Sequence, residues 1–112
     1  ESRDGGKTWS TPRPSGIVGF PPHLQKLPDG RLLVVYCRRL PPAYGQYACL
    51  SHDGGRTWDT THEIELARGF DIDNGYPSTI QLPDETLLTV YYGAEKRGES
   101  PCLRATRWKV KP

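Results

Sequence analysis

The sequence predicts an all-β protein made of antiparallel four-stranded units that repeat about every 50 residues. The motif Ser-x-Asp-Gly-Gly-x-Thr-Trp occurs twice, at residues 2–9 and 51–58, an offset of 49 residues. A second repeat aligns residues 22–36 with residues 77–91 without a gap, at an offset of 55 residues. The 12 glycines and 11 prolines fall at regular turn positions, which is typical of a turn-rich β protein and not of a disordered chain.

The elements follow in order from apolar runs that alternate with turn signals. A proline-containing loop covers residues 10–22 after the first copy of the motif. Residues 32–36 form an uninterrupted apolar run behind a Pro-Asp-Gly turn, as in a strand that is buried on both faces. We expect the last strand of an earlier unit within residues 1–10, and further strands at residues 23–27, 31–38, 46–51, 57–64, 77–82, 86–92 and 102–110.

Four-stranded units of this length are typical of β-propeller blades, with the motif between the third and fourth strands. On this interpretation residues 1–10 end one blade, residues 19–66 form a complete blade, and residues 75–110 supply three strands of the next. A propeller closes with about four to eight blades. We therefore expect the chain to be a portion of a longer propeller, or to assemble with copies of itself, in which case a homotrimer supplies about six blades.

The repeated motif has the chemistry of a self-contained turn. Its glycines supply the positive φ that the reversal needs, and its aspartate accepts hydrogen bonds from turn amides. The threonine suits an extended segment, and the tryptophan pins the turn to a sheet. We expect a structural role for the motif residues Ser2, Asp4, Gly6, Thr8, Trp9, Ser51, Asp53, Gly55, Thr57 and Trp58.

Composition narrows the classes of partner. The net charge is +2, and the basic residues are scattered instead of clustered on one face, so no nucleic-acid partner is expected. The longest apolar run, residues 32–37, is far shorter than a membrane span. His23, His52 and His62 lack the spacing of zinc ligands, and we expect no metal and no cofactor.

The cysteines do not form a disulfide framework, since there are three, Cys37, Cys49 and Cys102. Buried, reduced thiols are the favoured interpretation. The alternative is that Cys37 and Cys49 face each other across a hairpin.

The two motif copies resemble the Asp-box, or bacterial neuraminidase repeat, of sialidase-like six-bladed propellers. Residues 19–33 resemble the penultimate blade of bacterial members of the sialidase superfamily, and residues 73–92 resemble their last blade. The resemblance implies that the boxes lie at the periphery of the blades. It also implies that any active site lies where the loops entering the innermost strands converge.

The same resemblance implies candidate site residues. Tyr76, in the sequence Gly-Tyr-Pro-Ser, matches the tyrosine nucleophile of a Gly-Tyr-Ser-like motif. A phenolate can attack an anomeric centre beside a carboxylate, where an acidic nucleophile would be repelled. The structural alternative is that Tyr76 packs at the propeller axis with its hydroxyl hydrogen-bonded.

Other residues are candidates for substrate binding. The family holds the substrate carboxylate with three arginines, and Tyr47 stands where one of them is expected. Arg39 or Arg38, at the end of the preceding strand, could substitute, although a solvated surface charge is the plainer role for both. Asp71 and Asp73 lie close enough in sequence to act on Tyr76, although turn capping is the plainer role for both. The Arg-Ile-Pro motif and the acid/base aspartate of the early blades are absent.

These expectations lead to two functions of different classes. In the first, the chain is the C-terminal portion of a sialidase-like propeller whose parent is a glycan-acting exo-glycosidase, and the chain alone is catalytically incomplete. In the second, it belongs to a non-catalytic carbohydrate-binding or scaffold propeller assembled from short chains. The expected partner in both is a glycan or a sialoside-like small molecule. A fragment with no function of its own is a third interpretation.

Overall fold

The computed structural model describes residues 1–111, and their regular structure consists of two antiparallel sheets without helices. The four-stranded first sheet has its strands in sequence order: β1 (Pro22–Lys26), β2 (Leu32–Arg38), β3 (Gly45–Ser51) and β4 (Ile64–Arg68). The three-stranded second sheet is also sequential: β5 (Gly75–Gln81), β6 (Leu87–Gly93) and β7 (Cys102–Trp108). The predicted all-β class is confirmed. In the described part of the chain, no helix is long and apolar enough to cross a membrane.

Two of the strand predictions are wrong, one in its position and the other in its existence. Residues 57–63 are not a strand, and β4 begins only at Ile64. The reason is a turn around Asp59, whose carboxylate accepts hydrogen bonds from the His62 amide at 3.1 Å and from the Thr61 hydroxyl at 2.8 Å. No strand is present within residues 1–10 either, and the described chain therefore has seven strands where eight were expected.

The turns that begin β2 and β6 have the same backbone hydrogen bonds, 55 residues apart. The Leu27 amide donates to the Arg31 carbonyl at 2.8 Å, and the Leu82 amide donates to the Thr86 carbonyl at the same distance. The third turn residue has a positive φ in both copies, 89° at Gly30 and 65° at Glu85. A glycine adopts this conformation freely and a glutamate does not, so the second copy carries backbone strain.

The main core lies between the two sheets. Leu33 and Val35 of β2 point toward the second sheet and pack in one cluster with Leu87 of β6. The alternate residues of β2, Val34 and Tyr36, belong to another buried cluster on the opposite face. Burial on both faces explains why β2 is a continuous apolar run instead of an alternating one.

Candidate functional site

One end of the molecule collects the loops that carry the candidate site residues. Because the strands are antiparallel, β2 and β4 end where β3 begins, and β6 ends where β5 begins. Hydrogen bonds from the Cys37 thiol, in β2, to Asn74, just before β5, bring these ends of the two sheets together. We call this end the site edge; it contains the loops at residues 39–44, 69–74 and 94–101.

The two copies of the Ser-x-Asp-Gly-Gly-x-Thr-Trp motif, which we call the boxes, have matching hydrogen bonds and serve as turns. The Thr57 amide and hydroxyl donate to the Asp53 carboxylate at 2.9 and 2.6 Å, and Thr8 makes the same two bonds to Asp4 at the same distances. The hydrogen bonds that the Asp4 carboxylate accepts, chiefly from Thr8, lower its pKa to about 2. Those that the Asp53 carboxylate accepts, chiefly from Thr57, hold its pKa well below the usual range. The second box begins at Ser51, the last residue of β3, and so lies at the end opposite the site edge.

The remaining box residues complete the same pattern. In each copy the serine hydroxyl accepts a hydrogen bond from the second glycine amide, at 2.8 Å, and that glycine lies against the tryptophan ring. The tryptophans differ in their surroundings, because Trp58 packs beside the cluster of Val34 and Tyr36 whereas Trp9 is exposed.

Arg39 is the central cation of the site edge. Its Nε donates to the Asn74 carbonyl at 2.8 Å, and its Nη2 donates to the Tyr92 hydroxyl at 3.3 Å. The guanidinium carbon lies 5.2 Å from the centroid of the Tyr76 ring and 5.8 Å from that of Phe20. Among residues 1–111, no carboxylate lies within ion-pair distance of Arg39. The guanidinium is therefore oriented by neutral groups and keeps its charge available for a ligand.

Tyr76 points into solvent beside Arg39. Its side chain is 66% exposed, and its ring stacks on Tyr92 with the centroids 5.9 Å apart. The register between β5 and β6 shifts between Gly75 and Ser78, and Tyr76 has a φ of 51°. Such bulges re-aim side chains next to functional sites. Within residues 1–111 the Tyr76 hydroxyl makes no hydrogen bond to a carboxylate, and the charge nearest to its stacking partner Tyr92 on the acidic side is that of Asp73.

Asp71 and Asp73 occupy the loop before Tyr76. The Asp71 carboxylate accepts a hydrogen bond from the Asp73 amide at 2.8 Å, which is the turn-capping arrangement. Burial raises the pKa of the Tyr92 phenol; the Arg39 charge opposes this shift and the Asp73 charge adds to it. The structure thus brings Asp73 near the Arg39 cluster, while Asp71 shapes the loop.

A buried network behind Arg39 joins the two sheets, and no local pattern in the sequence predicts it. The Asn74 Oδ1 accepts hydrogen bonds from Gln46 Nε2 and from the Cys37 thiol, each at 2.9 Å. The Asn74 Nδ2 donates to the Asp71 carbonyl at 2.6 Å. Gly75 has a φ of 141°, which other residues rarely adopt, and a Cβ there would lie 3.2 Å from the Cys37 Sγ, so glycine is favoured at this position.

The cysteines are free thiols, and Cys37 and Cys49 are buried. Cys37 pairs in register with Gln46, and Cys49 pairs with Val34, so the two cysteines do not face each other across the hairpin. Burial raises the pKa of both thiols, that of Cys49 to about 11. Cys102 is exposed, contrary to the expected burial.

Tyr47 packs on the other face of the first sheet and is not brought to the Arg39 cluster, whereas Arg38 lines the groove beside Arg39. Tyr47 is buried, stacks on Tyr36 and has the Arg38 guanidinium 4.7 Å from its ring centroid. Arg38 forms an ion pair with Glu63 at 2.7 Å, and the Tyr36 hydroxyl donates to the same carboxylate. Of the two arginines considered as substitutes in a carboxylate site, Arg38 is thus neutralised and Arg39 is not.

Two cavities flank the loop at residues 39–44. One, of about 330 Å³, is a mostly apolar groove with Phe20 and Arg39 in its wall. The other, of about 340 Å³, is lined by Pro42, Tyr44, Arg68, Gly69, Phe70 and Arg97. No group of three or more potential metal-binding side chains occurs in the described part of the chain.

No protein-family model matches the chain, and no curated protein matches it. Among solved structures, it is similar to a protein from Dyadobacter fermentans DSM 18053 whose function is described as unknown. The sequence identity is 30%, the TM-score is 0.82, and the match covers 98% of this chain and 30% of that one. The chain therefore spans less than a third of the length of this neighbour and shares its fold over the matched part.

Proposed function

We propose that the chain forms blades of a sialidase-like β-propeller whose site edge binds an acidic glycan through Arg39. The observation that carries the proposal is the Arg39 guanidinium, which neutral partners orient between two exposed aromatic rings and which no described carboxylate neutralises. A guanidinium fork matches a sugar carboxylate bidentately. The rings of Phe20 and Tyr76 offer apolar faces on which a sugar can lie.

The propeller part of the proposal is supported by the two stacked sheets and by the uncovered face of the second one. Both sheets have sequential antiparallel order, and the same turn joins their first two strands, 55 residues apart. On the outer face of the second sheet Ile80 is 55% exposed and Leu103 is 78% exposed. In a propeller, the next blade covers such a face. That blade would come from the rest of a longer chain or from another copy, as in a homotrimer.

A second candidate, glycoside hydrolysis with Tyr76 as the nucleophile, is favoured by the position of the Arg39 charge over the Tyr76 ring. Within residues 1–111 the Tyr76 hydroxyl makes no hydrogen bond to a carboxylate that would accept its proton. We therefore expect the chain by itself to be inactive on a fluorogenic sialoside, and turnover by the chain would overturn this part of the proposal.

The binding proposal is tested by titrating the full chain with sialyllactose and with lactose, which differ by one acidic sugar. We expect sialyllactose to bind and lactose not to bind, and Arg39→Ala to abolish the difference. Arg107→Ala is the matched control, because Arg107 lies at the opposite end of the sheet and is paired with Asp84. Equal binding of both sugars, or full selectivity in Arg39→Ala, would reject the proposal.

A further inference from the structure

The pocket of about 340 Å³ on the far side of the 39–44 loop from the groove is lined by two arginines, Arg68 and Arg97, and two aromatic rings, those of Tyr44 and Phe70. Neither the candidate nucleophile nor the Arg39 site uses this pocket. Arg68 ends β4, and Arg97 lies in the 94–101 loop, so two separate elements deliver positive charge to one cavity.

The charges of this pocket have no acidic partner among the described residues. Arg3, Arg31 and Arg107 each pair with a nearby carboxylate. Within residues 1–111, Arg68 and Arg97 make neither an ion pair nor a side-chain hydrogen bond, and no acidic side chain lines the pocket. Two guanidinium groups that line one cavity repel each other unless an anion lies between them. The pocket is thus electrostatically suited to an oxyanion.

Backbone contacts beside the pocket join the start of β3 to the end of β4. The Gly69 amide donates to the Tyr44 carbonyl at 2.9 Å. A Cβ at Gly45, where φ is 133°, would lie 2.1 Å from the Ala67 carbonyl oxygen. A Cβ at Gly69 would lie 2.9 Å from the Gly45 nitrogen. Because only glycine permits this approach, β3 and the end of β4 fix the spacing of the residues around the pocket.

We propose that this pocket is an oxyanion-binding site for a sugar substituent, either a sulfate ester or a carboxylate. The two arginines hold the oxyanion, and the rings of Tyr44 and Phe70 contact the sugar that carries it. Pro42 lines both this pocket and the groove beside Arg39, so a longer acidic glycan can occupy the two sites together. The proposal does not depend on ligand binding at Arg39.

The test is a titration of the full chain with a sulfated disaccharide, with a uronate disaccharide and with a neutral disaccharide of the same linkage. At least one acidic sugar should bind more tightly than about 1 mM. Arg68→Gln and Arg97→Gln should each weaken that binding about 10-fold or more, whereas Arg107→Ala should not. The acidic disaccharide that binds more tightly identifies the substituent as a sulfate ester or a carboxylate. In either case added salt should weaken the binding.

Three results would overturn the proposal: no acidic disaccharide binds, the neutral disaccharide binds equally, or neither glutamine variant weakens binding. If a variant fails to fold, the side-chain N–H resonances of Arg68 and Arg97 in the unmutated chain report the same contact, and their failure to shift on ligand addition also overturns it. If Arg39→Ala loses binding while Arg68→Gln and Arg97→Gln keep it, the result supports the site at Arg39 and rejects this pocket. The failure of one proposal can therefore be distinguished from the failure of the other.

Discussion

Replacement of Asn74 by alanine should destabilise the fold and loosen Arg39 at the same time. The Asn74 side chain is buried, with 3% exposure, and its carboxamide joins the sheets through Gln46, Cys37 and the Asp71 carbonyl. Its own carbonyl accepts the Arg39 Nε hydrogen bond. The residue therefore couples the stability of the sheet interface to the position of the candidate binding group.

The magnitude follows from the hydrogen bonds that the alanine removes. A neutral hydrogen bond contributes about 0.5–1.5 kcal/mol net, and a buried group left without a partner costs about 1–3 kcal/mol. Asn74→Ala removes the partner of the Gln46 amide group, whose Oε1 already has no partner among residues 1–111. We expect the free energy of unfolding to fall by about 2–4 kcal/mol.

Urea unfolding of the full chain measures this loss, and a double-mutant cycle with Gln46→Leu separates its parts. Because the double variant leaves no amide unpaired, its destabilisation should be smaller than the sum of the single ones by about 1 kcal/mol or more. Asp73→Ala is the control from the same exposed loop and should change stability by less than about 0.5 kcal/mol. A loss below about 1 kcal/mol for Asn74→Ala, or strict additivity in the cycle, would refute the reasoning.

Three further predictions concern the turns and the core. Glu85→Gly should stabilise the chain by about 0.5–1 kcal/mol, because the relief of a left-handed glutamate exceeds the entropy of the added glycine; Gly30→Ala should destabilise it, and thermal unfolding measures both. The depressed pKa of Asp53 contributes stability that is present above the unfolded carboxyl pKa of about 3.9 and is lost as the pH falls through the lower folded value. Unfolding free energies between about pH 5 and 2 should therefore fall more steeply in the unmutated chain than in Asp53→Asn. Leu33→Ala, at a position with 0% exposure, should cost about 2–5 kcal/mol in urea unfolding.

The sequence was most informative where the interactions are local. The side-chain hydrogen bonds of the second box join residues only four positions apart, Ser51 with Gly55 and Asp53 with Thr57. The turn can therefore be recognised from its local sequence. The wrong strand at residues 57–64 has a local cause too, since the Asp59 turn competes with an extended backbone. The signal for this turn, an aspartate two residues before a threonine, is present in the sequence.

The site was predictable only in part. Tyr76 was predicted as a candidate because it matches a motif, and Arg39 was predicted because it follows the end of a strand. The network of Cys37, Gln46 and Asn74 was not predicted, because its hydrogen bonds join residues 28 and 37 positions apart. Tyr47 was predicted as a substrate-binding residue from its place in the chain alone. Because side chains alternate between the two faces of a strand, Tyr47 in β3 points to the opposite face of the sheet.

The central claim, that Arg39 binds a sugar carboxylate, is tested most directly by comparing an acidic glycoside with its uncharged methyl ester on the unmutated chain and on Arg39→Ala. A charged hydrogen bond contributes about 1.5–3 kcal/mol, so esterification should weaken binding to the unmutated chain about 10- to 100-fold. Arg39→Ala should bind the acid more weakly and should show a smaller preference for the acid over the ester. Equal binding of acid and ester to the unmutated chain, or an undiminished preference for the acid in Arg39→Ala, would contradict the account.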